Sequence, residues 1–169
     1  MAVYTPVSFE QASEHLQQFD LPELVKIQPI KAGVENSNFI LHTKVKNYIL
    51  TLFEKRVTAD ELPWFIALMQ HLHTKKFPSP QPIANQKGEY LTSLNKRPAL
   101  IVSFLEGKEI TMVSAHHCFQ VGYMLAKLHQ STRDFPLKRK NTLSNDHWKP
   151  IFIKYQDVFE QIAVNSKNE

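Results

Sequence analysis

The residues best suited to chemistry are Gly33-Val34-Glu35-Asn36-Ser37-Asn38-Phe39. Gly33 permits close backbone approach, and backbone N–H groups with the Ser37 hydroxyl and the Asn36 and Asn38 amides can donate to phosphate oxygens. That is an anion cradle built with few glycines. The same residue types suit an ordinary polar turn that holds no ligand, so both readings stand on composition alone. Glu35 is the awkward member, because a carboxylate near phosphates is repulsive unless it points away or meets a cation. A second run, Tyr48-Ile49-Leu50-Thr51-Leu52-Phe53-Glu54-Lys55-Arg56, is apolar and ends abruptly in charge. Together the two runs read as strands joined through a turn that can cover a nucleotide.

The elements around these runs are legible from punctuation and period. Ser8 with Gln11 three positions on has the form of a capping box, and Phe9, Ala12, Leu16 and Phe19 follow at helical spacing until Pro22. Leu24 to Ile30 alternates as a first strand, and Phe39–Leu41 with Tyr48–Phe53 predicts a hairpin turning at Lys46-Asn47. Thr58 or Asp60 is placed to cap a helix carrying Leu62, Phe65, Ile66, Met69 and Leu72 and running to about Lys76. Pro78, Pro80 and Pro82 then force an extended connector. Glu89–Thr92 and Ala99–Phe104 read as two more strands around a turn at Leu94–Arg97. Five strands and an internal helix make an α+β lobe. From Ser114 the period becomes helical, with His117, Val121, Met124, Leu125 and Leu128 on one face, and Ile151 to Ile162 predicts a further helix after Pro150.

Composition narrows the function classes. The 169 residues, 43% of them hydrophobic, suffice for a packed core. The net charge of +4 is mild and its basic residues are scattered apart from Lys138-Arg139-Lys140, which reads as a solvated loop; no nucleic-acid footprint is expected. Cys118 is the one cysteine, which excludes an intramolecular disulfide framework and any multi-cysteine metal site. Neither His71-Leu72-His73 nor His116-His117 has the i,i+4 spacing that aims two imidazoles at one ion, so zinc is not expected. No apolar run reaches membrane-spanning length and no signal peptide is evident, so the chain reads as soluble and cytoplasmic, without membrane partners.

The sequence resembles the type II homoserine kinases, which share the protein-kinase-like fold of aminoglycoside and choline phosphotransferases. The resemblance rests on the two runs at 33–39 and 48–56, on Pro98-Ala99-Leu100-Ile101-Val102-Ser103-Phe104-Leu105-Glu106-Gly107, and on Val121-Gly122-Tyr123-Met124-Leu125-Ala126-Lys127-Leu128-His129. It implies an N-terminal nucleotide-binding lobe and hinge over residues 1–105, with a five-stranded antiparallel sheet plus helix, and the start of a helical C-terminal lobe over 106–169. It also implies ATP and Mg2+ as cofactors and homoserine as acceptor, in threonine biosynthesis.

The same resemblance assigns nucleotide contacts to Gly33, Val34, Asn36, Ser37 and Asn38 in the loop and to Ile49. Ile49, Val34 and Ile101 are apolar neighbours able to sandwich the purine, though each equally suits strand core, the commoner place for such residues. At the hinge it assigns the Ser103 carbonyl and the Leu105 N–H to the adenine edge. Kinases of this fold usually carry a Lys or Arg on the second hairpin strand paired with a helix Glu; the matching position here is Thr51. Lys55 or Arg56 is the substitute cation, with Glu61 as partner. The family's His-x-Asp…Asn loop and its later metal-binding Asp lie downstream of the helix that ends near His129, and Asn145-Asp146-His147-Trp148 has the wrong order for it. No catalytic residue is therefore expected within this sequence, and the magnesium ligands are expected beyond residue 169. Two alternatives stay open: a kinase for another small amino alcohol or aminoglycoside, and a catalytically inactive nucleotide- or partner-binding module. A first lobe standing alone should also expose the apolar face of the Ser114–Leu128 helix, which predicts self-association.

Overall fold

The computed structural model describes residues 3–54, 59–140, 144–156, 158 and 160. Helix α1 (Phe9–Leu16) begins at the expected capping box, with the Ser8 hydroxyl accepting from the Gln11 N–H and the Gln11 side chain accepting from the Ser8 N–H. It stops at Leu16, short of the expected Phe19, yet Phe19 is still buried beneath it. Five strands follow: β1 (Leu24–Pro29), β2 (Ser37–Thr43), β3 (Asn47–Leu52), β4 (Leu91–Leu94) and β5 (Arg97–Ser103). They form one antiparallel sheet in the order β1-β2-β3-β5-β4.

Register sorts the strand residues into two faces, since directly opposed residues point the same way. Phe39, Leu41, Tyr48, Leu50, Leu52, Ala99 and Ile101 are buried with Ala12, Leu16 and Phe19 of the α1 segment. Burial of each such large side chain contributes about 1.5–3 kcal/mol, which makes this layer the foundation of the lobe. On the opposite face, Ile40, Ile49 and Val102 lie in one cross-strand row and Asn38, Thr51 and Leu100 in the next. Ile40, Ile49, Val102, Asn38 and Thr51 are only half-buried. Ile101 lies on the α1 side, in the strand core expected as its commoner place, whereas Ile49 faces the other way. Every residue from 99 to 102 is apolar, so the sequence carries no alternation to reveal which ones face α1.

The turn at 30–36 joins β1 to β2, while residues 44–46 join β2 to β3. The glycine-bearing turn therefore precedes the hairpin formed by the two quoted runs and does not close it. The β4–β5 turn falls at Leu94–Arg97 as expected, with Leu94 paired to Arg97 and both Asn95 and Lys96 at positive φ (50° and 62°), the pairing of a tight hairpin turn.

Helix α2 (Leu62–Thr74) has Glu61 at its N-cap without a side-chain cap bond, and Pro63 in its first turn. Of the two expected caps, Asp60 is displaced from that role by Glu61, and Thr58 lies outside the described residues. Helix α3 (Ala115–Ser131) starts at a second capping box, Ser114 with His117. The two helices are tied at their C-terminal ends. His71 Nε2 is 2.8 Å from the Ser131 carbonyl and 3.3 Å from Asp134, which also pairs with Lys75, and the Phe135 ring packs against Trp64 and His71. Phe119, Val121, Tyr123 and Leu125 of α3 are exposed.

Contacts divide the chain after Pro136, with a second unit beginning at Leu137. That unit contains α4 (Asn145–Lys154), which starts six residues before the expected Ile151 and carries Pro150 inside it. Pro150 has no N–H to donate within the helix, but Ser144 is extended at the N-cap and Asp146 supplies first-turn negative charge, so the helix nucleates upstream of the proline.

Candidate functional site

The half-buried sheet face, the 30–36 turn and the end of β5 hold the expected nucleotide contacts. Gly33 adopts φ +104°, outside the range that L side chains favour, and a Cβ built there would meet nothing within 4 Å. Its torsion, not crowding, is what calls for glycine. Val34 beside it is 79% exposed, and the Ile30 N–H donates to the Asn38 carbonyl at 2.8 Å, closing the base of the turn. Asn36 accepts, through its carbonyl, a long 3.5 Å contact from the Asn38 amide.

Ser37 is placed differently from the expectation. It is fully buried on the α1 side, where its Oγ accepts from the N–H groups of Tyr4 (2.9 Å) and Thr5 (3.0 Å) and donates to Glu54 Oε1 at 2.7 Å. The hydroxyl is thus engaged within the lobe by Tyr4, Thr5 and Glu54. Glu54 in turn receives Arg97 Nε at 3.1 Å on its other oxygen, and Arg97 also donates to the Glu54 carbonyl. Burial pushes the Glu54 carboxyl up, but hydrogen bonds from Ser37 and Thr5 and the Arg97 charge outweigh it, leaving it below the usual carboxylate range. Tyr4 reaches the turn as well, its hydroxyl donating to the Val34 carbonyl at 2.9 Å. Sequence reasoning missed this segment because the partners are about thirty residues apart and no local pattern links them.

Thr51, the position expected to stand in place of a strand cation, donates to Asn38 Oδ1 at 2.8 Å. The cross-strand pair is neutral. Lys55 and Arg56 lie outside the described residues, and Glu61 stands at the start of α2. At the other end of the sheet, Ser103 is fixed by segment 79–83: its N–H donates to the Gln81 carbonyl (2.8 Å), and its hydroxyl accepts from the Gln81 N–H (2.9 Å). Leu105 is half exposed in the irregular stretch that follows. Among the described residues, no group of three or more His, Cys, Asp or Glu could hold a metal ion.

Comparison with known proteins fits this arrangement. The model of the phosphotransferase enzyme family matches residues 26–155. The chain belongs to that family. It is 47% identical over 163 residues to a homoserine kinase of Methylorubrum populi, covering 96% of this chain and 51% of that protein. The homoserine kinase of Rhizobium meliloti is 41% identical over the full 169 residues, which cover 52% of it. The chain thus spans about half the length of the curated relatives it matches. Among solved structures, spectinomycin phosphotransferase in complex with ADP and spectinomycin superposes with a TM-score of 0.68 at 15% identity, covering 90% of this chain and 47% of that one. A microcompartment-associated aminopropanol kinase gives 0.63, also at 15% identity, covering 83% and 48%. The fold of this family member is that of the protein-kinase-like aminoglycoside phosphotransferases.

Proposed function

We propose that this chain is the nucleotide-binding part of an ATP-dependent kinase that phosphorylates the hydroxyl of homoserine, a step of threonine biosynthesis in the cytoplasm. The observation that carries the reading is the identity of 47% with a homoserine kinase, sustained across 96% of the chain and therefore through the 30–36 turn, β3 and the end of β5 together.

In this reading, the backbone at Gly33, Val34 and Asn36 lies over the phosphates, and the Asn38 amide supports the turn from below. Ile49 supplies the apolar floor for the purine, flanked by Ile40 and Val102 of the same row. The Ser103 carbonyl and Leu105 N–H take the adenine edge. Lys55 with Glu61 supplies the cation that Thr51 does not. Phosphoryl transfer needs a metal that neutralises charge on the β- and γ-phosphates and a residue that orients the attacking hydroxyl; both are assigned to the half of the enzyme outside this sequence.

ADP release coupled to homoserine turnover tests the proposal. The full-length protein should release ADP with homoserine and ATP-Mg, and the 169-residue chain alone should not.

A further inference from the structure

We propose that Tyr4 is a positioning residue for the phosphate turn, and that the segment Tyr4–Thr5 acts as a strap fixing the Val34–Glu35 peptide plane. The inference rests on the reading of 30–36 as the turn that meets the nucleotide's phosphates.

A trans peptide is planar, with its C=O and N–H pointing in opposite directions. Whatever holds the Val34 carbonyl therefore sets the direction of the next N–H as well. Gly33, one residue before this plane, sits at φ +104° and places little steric restraint on its own torsions. Val34 is 79% exposed, so packing does not fix it. A restraint on the Val34 carbonyl itself is the Tyr4 hydroxyl, which donates to it at 2.9 Å.

A hydrogen bond from a half-exposed tyrosine positions something only if the tyrosine is itself held. Here the anchor is buried. The Tyr4 and Thr5 N–H groups both donate to Ser37 Oγ, which is 0% exposed and donates to Glu54, and the Glu54 side chain, 6% exposed, is held by Arg97. An unbroken series of charged and neutral hydrogen bonds thus runs from β5 through the end of β3 and the start of β2 to the turn. Preorganised backbone donors aid phosphate binding because their orientation is already fixed before the ligand arrives.

The test is Tyr4→Phe in the full-length protein, which removes one hydroxyl and keeps the ring. ATP-Mg binding is measured by calorimetry without acceptor, alongside KM for ATP, KM for homoserine and kcat. Loss of one net hydrogen bond from the bound-competent turn should weaken ATP binding and raise its KM about fivefold, with kcat, the homoserine KM and Tm unchanged. A purely structural tyrosine would lower Tm and leave the ATP terms alone, which overturns the proposal, as does a variant that binds ATP like the parent. If the parent binds ATP but does not phosphorylate homoserine, the acceptor assignment falls while the calorimetric comparison still decides the role of Tyr4. A parent that binds no ATP overturns both.

Discussion

Glu54 and Arg97 form an ion pair, Nε to Oε2 at 3.1 Å, that joins a residue two positions past β3 to the first residue of β5. The two strands are hydrogen-bonded neighbours, so the pair closes the end of their ladder nearest the 30–36 turn. Its carboxylate is buried and its guanidinium is partly exposed, an asymmetry that makes loss of the cation the more damaging change.

Arg97→Ala should therefore destabilise the lobe by about 2 kcal/mol, and Glu54→Gln, which keeps the hydrogen-bonding shape, by less. The Glu54 carboxyl titrates lower folded than unfolded. Its contribution is accordingly present above the unfolded carboxylate range and lost as pH falls through the folded value. Urea denaturation of parent and Glu54→Gln at descending pH checks this: the two curves should converge in acid, and a constant gap would contradict it.

His15 gives a second pH dependence. Only 3% of it is exposed, and burial pushes the imidazole down from its ordinary value. The unfolded chain then binds a proton more readily, so stability falls as pH drops below about 6.5. Replacing His15 by Leu strands no buried partner: the Thr92 hydroxyl near His15 Nε2 also donates to the Ala99 carbonyl, and Gln18, whose amide lies 3.5 Å from His15 Nδ1, is exposed to water. Thermal melts between pH 7.5 and 5.5 should show a shallower acid loss in His15→Leu than in the parent.

Gly33→Ala isolates the torsion of the 30–36 turn. A Cβ there has open space, so the cost is the backbone conformation alone, about 1–3 kcal/mol if φ is kept. The turn should relax to avoid that strain, raising the ATP KM of the full-length enzyme about tenfold with little change in Tm. Gly88, at φ +82° in the 86–88 turn, is the control. Gly88→Ala should lower Tm and leave the ATP KM alone, and equal kinetic effects from the two would refute a special role for Gly33.

Much of the fold is written locally. The Ser8–Gln11 capping box, the prolines after α2 and the period change at Ser114 each depend on residues within a few positions of one another, and each is realised. What the sequence hid is non-local. Ser37 looks like a phosphate donor in isolation, yet Tyr4, Thr5 and Glu54 consume its hydroxyl, and none of them is a sequence neighbour. The facing of Ile101 and Val102 needed the strand register, since a continuous apolar run has no period to read. At α4 the local rule misled: proline favours a first turn, but the Ser144 N-cap lies upstream and places Pro150 inside the helix.

The most direct test of the central claim is coupled ADP release with homoserine and ATP-Mg, run in parallel on the full-length protein and on the 169-residue chain. The account predicts homoserine-dependent turnover by the full-length protein only. Silence of the full-length protein with homoserine, or turnover by the short chain, would contradict it.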